Sequence, residues 1–331
     1  MDTNQTQTFP EISIIVPVYN GEGYIVQCLE TIKTQTFKNF EVIIVDNASV
    51  DNTAKICNQW IKDNTLLINY IYTDEKGVSK ARNIGLKNAK GKYVAFIDAD
   101  DYIANTYLEV LYKNITKNDA NISICGYIVT NKREQCESEK DCENKIFGKI
   151  IDFNDICKHV FRDSSIGGYV WNKLFDKKIL DGIWFDDDIE MCEDMLFFFR
   201  VLKKNPKVIY QKTELYYYFM NLESASHKVE KAFDINKNFK YDKSMSMLKK
   251  ENNFQTSVLR DINAGLFMYA VATKLNYSFC ANKDSSIIKN LNGIFGKYWN
   301  DFWATDLFSV KKKIKTILSL LLWRLKPFLR R

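Results

Sequence analysis

The first 130 residues alternate between short β-branched runs and amphipathic stretches that begin with polar capping residues. This alternation favours parallel strands joined by crossover helices, and hence a Rossmann-like, mostly parallel α/β sheet flanked by helices. The predicted strands cover residues 12–18, 40–45, 67–72, 93–97 and 122–129, and the predicted helices cover 24–33, 51–63 and 79–89.

The second half of the chain indicates a different organisation. Residues 132–145 are mixed in charge without apolar periodicity, which is typical of a solvated loop. Beyond them we predict helices over 152–161 and 191–204 and strands over 208–211 and 215–219, and an almost wholly helical pattern begins near residue 231. We therefore expect one α/β domain over residues 1–230, with halves at about 10–130 and 150–230, and a C-terminal helical extension over 231–331.

The net charge of +6 comes from the end of the chain, because residues 311–331 hold eight Lys/Arg and no Asp or Glu. The remainder has a net charge of about −2, which argues against a nucleic-acid-binding domain. A hydrophobic fraction of 46% with only 4 Pro excludes a disordered or low-complexity chain.

The cysteines and histidines disfavour a zinc site, since the eight Cys form no CxxC pair and the two His are His159 and His227. The N-terminus has no apolar signal-peptide core, and no apolar span reaches the ~18 residues of a membrane helix. We therefore expect a cytoplasmic protein with free thiols.

Polar residues follow three predicted strands: Tyr19-Asn20, Asp46-Asn47 and the acidic run 98–101. Ligands bind beyond the carboxyl ends of strands in open parallel sheets, so we expect a site at this edge. Clustered carboxylates suit magnesium or manganese shared with substrate phosphates. Taken alone, the acidic run could instead cap a helix, and Asp46 could be a turn former.

Residues 77–83 (GVSKARN) add Lys80 and Arg82 near a helix start, where they could bind a diphosphate. The alternative is an ordinary capped helix with solvated cations. There is no GxxxxGK[ST] loop, and the Gly21-Glu22-Gly23 segment lacks the third glycine of a dinucleotide fingerprint, so P-loop and hydride-transfer chemistry are disfavoured.

Taken together, PVYN, VDNASVDNT, GVSKARN and FIDADD resemble the motifs of family 2 glycosyltransferases in order and spacing. The resemblance implies a GT-A fold, a nucleotide-sugar donor and an inverting transfer. It assigns Pro17, Tyr19 and Asn20 to the nucleoside pocket, Asp46 to the base N3–H, Asn47, Lys80 and Arg82 to the nucleotide and its phosphates, Asp98 to the ribose or metal, and Asp100 to the metal.

The second half resembles bacterial members of that family through WNKLF at 171–175 and FDDDIEMCEDML at 185–196. This implies an acceptor or sugar wall at Trp171, Asn172 and Lys173, and an ED pair, Glu193 and Asp194, with Asp194 as general base. Alternatively, Trp171 is a core aromatic and Asp194 a carboxylate at a helix N-terminus.

Two further segments depart from or extend the pattern. Residues 216–219 lack the Arg that commonly follows this aromatic strand in the family, so no diphosphate contact is predicted there. His227 lies where some members place a loop over the donor, and it is a candidate metal or phosphate ligand.

Residues 311–331 place Leu and Ile at helical spacing among basic residues, which is typical of a helix lying on anionic lipid. The alternative is a terminal helix packed on the protein. A membrane surface would suit a lipid-linked acceptor, an expectation that rests on analogy.

We therefore expect a metal-dependent (manganese or magnesium), inverting glycosyltransferase of bacterial surface polysaccharide synthesis. It would move a sugar from a nucleotide diphosphate, here UDP, to a hydroxyl of a glycan or lipid-linked oligosaccharide. The alternatives are a sugar-phosphate nucleotidyltransferase and a non-catalytic, membrane-peripheral protein that binds nucleotides or glycans.

Overall fold

The computed structural model describes residues 9–131, 148–162, 164–220, 236–277 and 285–318 of the chain. The chain forms two compact units, of which the first comprises Met1–Ile156 and Ser165–Ser224 and the second Cys157–Ser164 and Ala225–Arg331. The predicted loop over 132–145, His227 and the boundary near residue 230 lie outside the described residues, and these remain predictions.

One mixed sheet forms the centre of the first unit, with strand order β3-β2-β1-β4-β8-β6-β9-β5 and β7 paired to β9. The strands are β1 Ile12–Val18, β2 Phe40–Asn47, β3 Ile68–Thr73, β4 Tyr93–Phe96, β5 Tyr102–Ile103, β6 Ile122–Thr130, β7 Lys149–Ile151, β8 Lys173–Asp176 and β9 Val208–Phe219. The first four strands of this order are parallel, as predicted.

Helices cover the sheet at α1 Ile25–Lys33, α2 Thr53–Lys62, α3 Val78–Asn88, α4 Tyr107–Lys117 and α6 Glu193–Leu202. Helix α5, Phe153–Phe161, begins in the first unit and ends in the second. All seven residues of β1 and all eight of β2 are buried, because helices on both faces leave a parallel strand no polar side. The buried face of α1 repeats at helical spacing through Ile25, Cys28, Leu29 and Ile32.

Helix α3 approaches β1 closely at Gly85. A Cβ atom at this position would lie 2.3 Å from the Ile15 Cγ2 atom, so only glycine allows the contact. This approach sets the position of Arg82, one turn earlier on the same helix, near the carboxyl edge of the sheet.

The structure differs from the sequence prediction around β9. The two strands predicted at 208–211 and 215–219 form one long strand, whose parallel pairing with β6 shifts register around Gly126. A Cβ at Gly126 would lie 2.5 Å from the Lys212 carbonyl oxygen, so the irregularity depends on this glycine. The prediction of two strands was wrong, because an irregularity within one strand interrupts the sequence pattern in the same way as the end of a strand does.

The second unit contains α7 Asn236–Glu251, α8 Thr256–Tyr277 and α9 Ser285–Ala304, and residues 310–318 are also helical. In its core the Phe267 and Phe302 rings stack with centroids 4.3 Å apart. Within the described ranges, no helix combines the length and apolarity needed to cross a membrane.

Candidate active site

The carboxyl ends of β1, β2 and β4 lie at one edge of the sheet because the three strands run parallel. Val18 pairs with Asp46, and Ile15 pairs with Phe96, two residues before Asp98. The polar residues that follow these strands are therefore neighbours in the fold.

Reciprocal hydrogen bonds join the loops that follow β1 and β2. The Asn20 backbone N–H donates to Ser49 Oγ at 2.9 Å, and the Val50 N–H donates to Asn20 Oδ1 at 2.9 Å. The Gly21 N–H donates to Thr53 Oγ1 at 2.7 Å. In this structure Asn20 thus fixes the geometry of the loops beside the predicted nucleoside pocket.

Three non-glycine residues of this region have left-handed backbone conformations: Asn20 (φ 49°), Ala48 (φ 60°) and Cys192 (φ 58°). Such conformations are costly for residues with a Cβ and often cluster at functional sites. Ala48 directly follows Asp46-Asn47, and Cys192 directly precedes Glu193-Asp194, so both lie beside predicted site residues.

The predicted nucleoside residues differ in accessibility. Pro17 is buried in β1, whereas Tyr19 is 45% exposed. The Asp46 carboxylate is buried and accepts from the Ser49 N–H at 3.0 Å and the Tyr70 hydroxyl at 2.6 Å. The buried Asn47 Oδ1 has no hydrogen-bond partner among the described residues, which leaves a polar acceptor for a ligand.

Arg82 bridges the two halves of the sequence. Its guanidinium donates to Asp98 Oδ1 at 3.0 Å and to Glu193 Oε1 at 2.7 Å, although Glu193 is 111 residues away in the chain. Burial by itself would lower the pKa of Arg82, but the carboxylates of Asp98 and Glu193 raise it above its ordinary value. Arg82 therefore stays charged and joins the acidic run to the ED pair.

The acidic run divides into an inner and an outer part. Asp101 is fully buried and accepts from the Tyr216 hydroxyl at 2.7 Å and the Phe219 N–H at 2.8 Å. The Tyr216 oxygen in turn accepts from the Asp98 N–H at 3.2 Å. Burial, Asp98 and Asp100 raise the pKa of Asp101. The sequence reasoning missed this anchor, because nothing local distinguishes Asp101 from Asp100.

The outer carboxylates, Asp98 and Asp100, suit a divalent cation chemically, since magnesium and manganese take carboxylate oxygens and share substrate phosphates. The local potential is negative: burial and the carboxylates of Asp101, Asp100 and Asp98 raise the pKa of the Cys28 thiol. Among the described residues, no three His, Cys, Asp or Glu side chains converge as a metal site. Asp98 and Asp100 are thus the residues that would hold a divalent cation, and a metal at this position remains a prediction.

The ED pair begins α6. The Asp194 Oδ1 atom accepts from the Met195 N–H at 2.7 Å. Burial and Glu193 raise the pKa of Asp194 to about 7, and the opposing effect of Arg82 is smaller. A carboxylate with a pKa near 7 can hold and release a proton under neutral conditions, as a general base must.

The predicted wall residues lie beneath the surface: Trp171 is 2% exposed and Asn172 and Lys173 are fully buried. Asn172 donates to the Cys125 and Ile166 carbonyls at 2.9 Å each. Burial lowers the pKa of Lys173 to about 7, against the effect of Asp194. A substrate could reach these side chains only if the overlying residues moved, so the wall remains a prediction.

Lys80 lies in the first turn of α3. Its Nζ lies 3.2 Å from Glu75 Oε2, and about a third of its side chain is exposed. Lys80 is thus an accessible cation near a helix N-terminus, and its contact with a phosphate remains a prediction.

A family model described as Glycosyl transferase family 2 matches residues 13–202, which is more than half of the chain. The chain belongs to glycosyl transferase family 2. This confirms the resemblance drawn from the four motifs. Glycosyltransferase GlyA of Streptococcus pneumoniae serotype 4 is 34% identical over 221 residues, which are 65% of this chain and 31% of GlyA. The match thus spans about a third of GlyA.

Solved structures of transferases share the fold. S. aureus TarS 1–349 matches with a TM-score of 0.62 at 19% identity, over 88% of this chain and 80% of that one. TarS 1–349 in complex with UDP-GlcNAc matches with a TM-score of 0.54. The mannosyltransferase PcManGT from Pyrobaculum calidifontis, in complex with GDP-Man and Mn²⁺, matches with a TM-score of 0.58 at 16% identity, over 95% and 87% of the two chains. The predicted GT-A fold is confirmed.

Proposed function

We propose that the protein is an inverting, metal-dependent glycosyltransferase that moves a sugar from a UDP-sugar donor to a hydroxyl group of a glycan or lipid-linked oligosaccharide. The observation that carries the proposal is the Arg82 bridge, because it brings the carboxylates after β4 next to Glu193-Asp194 at the start of α6. An inverting transfer needs this arrangement, with a leaving-group side and a base side in one site.

On the base side, Asp194 takes the proton from the acceptor hydroxyl. The hydroxyl oxygen bonds to the anomeric carbon while the bond between that carbon and the diphosphate oxygen breaks, and the electron pair leaves with UDP. The raised pKa of Asp194, about 7, supports this role. Inversion follows because base and leaving group lie on opposite faces of the sugar.

On the donor side, Tyr19 supplies an exposed ring and Lys80 an accessible cation. Asn47 supplies a buried amide oxygen that has no hydrogen-bond partner within the described part of the chain. Asp98 and Asp100 would hold the divalent cation, which supplies charge stabilisation to the departing diphosphate. TarS has been solved with UDP-GlcNAc and PcManGT with GDP-Man and Mn²⁺, and these complexes support a nucleotide-diphosphate donor and a metal.

The C-terminal helix supports an acceptor at the membrane surface. Val310, Ile314 and Leu318 recur every fourth residue and are each about half exposed or more. Exposed Lys311 and Lys312 lie beside them, and an apolar stripe flanked by cations fits anionic lipid. Location on the inner face of the membrane and a role in surface polysaccharide synthesis, such as capsule or O-antigen, belong to this proposal.

The donor part is tested by titrating UDP into the protein by calorimetry, with and without manganese. We expect binding that needs the metal and that is lost in Asp100→Ala. Asp63→Ala is the matched control, since Asp63 is an exposed acid that follows the C-terminal end of α2. Absence of UDP binding with and without manganese would contradict a UDP-sugar donor. The same titration would then be made with dTDP and with GDP. Failure of all three would favour the non-catalytic alternative.

A further inference from the structure

Three aromatic rings form a stack that runs from the core to the surface of the first unit. The Trp171 indole lies parallel to the Tyr216 ring at 4.2 Å and to the Tyr169 ring at 4.6 Å. Two rings cannot share one indole face at these separations, so Tyr169 and Tyr216 cover opposite faces. Tyr216 is fully buried, Trp171 is 2% exposed and Tyr169 is 39% exposed, which makes Tyr169 the outer ring of these three. The partly buried Tyr218 ring also stacks on Trp171, at a longer centroid distance of 5.8 Å.

The backbone of the outer ring is fixed by buried polar contacts. Lys173 Nζ donates to the Tyr169 carbonyl at 2.6 Å and to Asn172 Oδ1 at 2.7 Å. A Cβ at Gly168 would lie 2.7 Å from the Met195 side chain, so this segment packs against the residue that follows Asp194. The buried WNK residues thereby hold Tyr169 in place beside the proposed base.

The exposed ring lies within electrostatic reach of the ED pair. Burial, Tyr127 and the Asp194 carboxylate raise the pKa of the Tyr169 phenol. An aromatic face on a rigid support offers apolar contact without the entropic cost of ordering it. A pyranose ring has an apolar C–H face that matches such a surface, and its hydroxyl groups would then lie toward Asp194.

We propose that Tyr169 is a platform on which the apolar face of an acceptor pyranose stacks beside Asp194. This rests on the proposed transferase function and deepens it, because it assigns the acceptor contact to Tyr169 and gives Trp171, Asn172 and Lys173 a supporting role behind it. The platform binds by its ring face, so the phenol hydroxyl is dispensable.

Saturation-transfer NMR with the methyl pyranosides of glucose, galactose, N-acetylglucosamine, mannose and rhamnose tests the platform. We expect transfer from wild-type aromatic protons to the ring C–H protons of at least one glycoside. Tyr169→Ala should weaken that binding about tenfold, and Tyr169→Phe should retain it. Phe9→Ala is the matched control, because Phe9 is an exposed aromatic residue that precedes β1, at the opposite edge of the sheet.

Absence of saturation transfer to every pyranoside, or equal saturation transfer in wild type and Tyr169→Ala, would overturn the platform. UDP calorimetry on the same variants separates the two proposals. Unchanged UDP binding in Tyr169→Ala shows that the donor side is intact, so that loss of pyranoside binding then supports the platform. If wild-type protein does not bind UDP, the donor proposal fails while the pyranoside result still decides the role of Tyr169.

Discussion

At the scale of single residues, Arg82 connects the acidic run to the ED pair. It is 4% exposed and contacts two carboxylates, and its Nε atom has no hydrogen-bond partner among the described residues. The resemblance assigned Arg82 to the nucleotide and its phosphates. In this structure it aligns Asp98 and Glu193, and a contact between its Nε and a ligand remains a prediction.

Replacing Arg82 by Ala should destabilise the protein, because Asp98 and Glu193 would lose the cation between them. Removing one partner of a buried ion pair lowers the free energy of unfolding by about 3–5 kcal/mol. Because Asp98 is partly exposed, we expect a loss of about 2–3 kcal/mol here. Arg82→Lys should recover only part of the loss, since an ammonium lacks the planar fork. Urea unfolding measures the change.

The matched control for that prediction is Lys80→Ala, two residues earlier on α3. Its ion pair with Glu75 is solvent-exposed, so the free energy of unfolding should change by less than about 1 kcal/mol. Equal losses in Arg82→Ala and Lys80→Ala would contradict a structural role for the Arg82 bridge.

Asp194→Asn should retain UDP binding and lower sugar transfer by about 10²–10⁴-fold, the usual effect of removing a general base. Asp188→Asn, in the exposed turn before α6, should leave transfer unchanged. Transfer assays and UDP calorimetry on both variants check this. Equal loss of binding and transfer in Asp194→Asn would argue against its role as base.

The rate of transfer should depend on pH through Asp194, whose pKa is raised to about 7. Below that value the carboxyl is protonated and cannot accept a proton, so the wild-type rate should fall about tenfold per pH unit.

The folded protein binds this proton more tightly than the unfolded chain, so Asp194 loses its stabilising effect as pH rises through about 7. Asp194→Asn should therefore raise Tm more at about pH 8 than at about pH 5. A pH-independent Tm difference would contradict the shifted pKa.

At the scale of elements, the sequence pattern identified the four parallel strands and the three helices between them, because these segments are long and strongly periodic. It did not identify α4, β5, β7 or β8. Strand β8 has four residues, too few for periodicity, and it pairs antiparallel between β4 and β6 through contacts distant in sequence. Shortness explains why β5, β7 and β8 were missed, whereas α4 was missed although it has 11 residues, the same length as α3.

Gly85→Ala tests how α3 is positioned. Alanine favours helix intrinsically, yet its Cβ would clash with Ile15, so we expect a loss of about 1–3 kcal/mol in stability and weaker UDP binding. Gly265→Ala in α8 is the matched control: its Cβ would meet nothing within 4 Å, and stability should rise by about 0.5–1 kcal/mol. Unfolding and UDP titration measure both variants, and stabilisation in Gly85→Ala would refute the close packing.

At the scale of the whole molecule, the basic C-terminal segment should bind anionic vesicles. Deleting residues 311–331 should abolish flotation with phosphatidylglycerol-containing vesicles, and raising salt should weaken flotation of the full chain because the attraction is electrostatic. Zwitterionic vesicles are the control. Unchanged flotation after the deletion would show that this segment does not hold the protein on lipid.

The sequence by itself determined the family, the parallel half of the sheet and the edge at which polar residues gather, because these depend on periodicity and on motifs within short segments. Only the tertiary structure decided which carboxylate anchors the fold, that Arg82 joins residues 111 positions apart, and that Tyr169 rather than Trp171 reaches the surface. Burial and long-range pairing depend on how elements pack together, and a linear pattern does not contain that information.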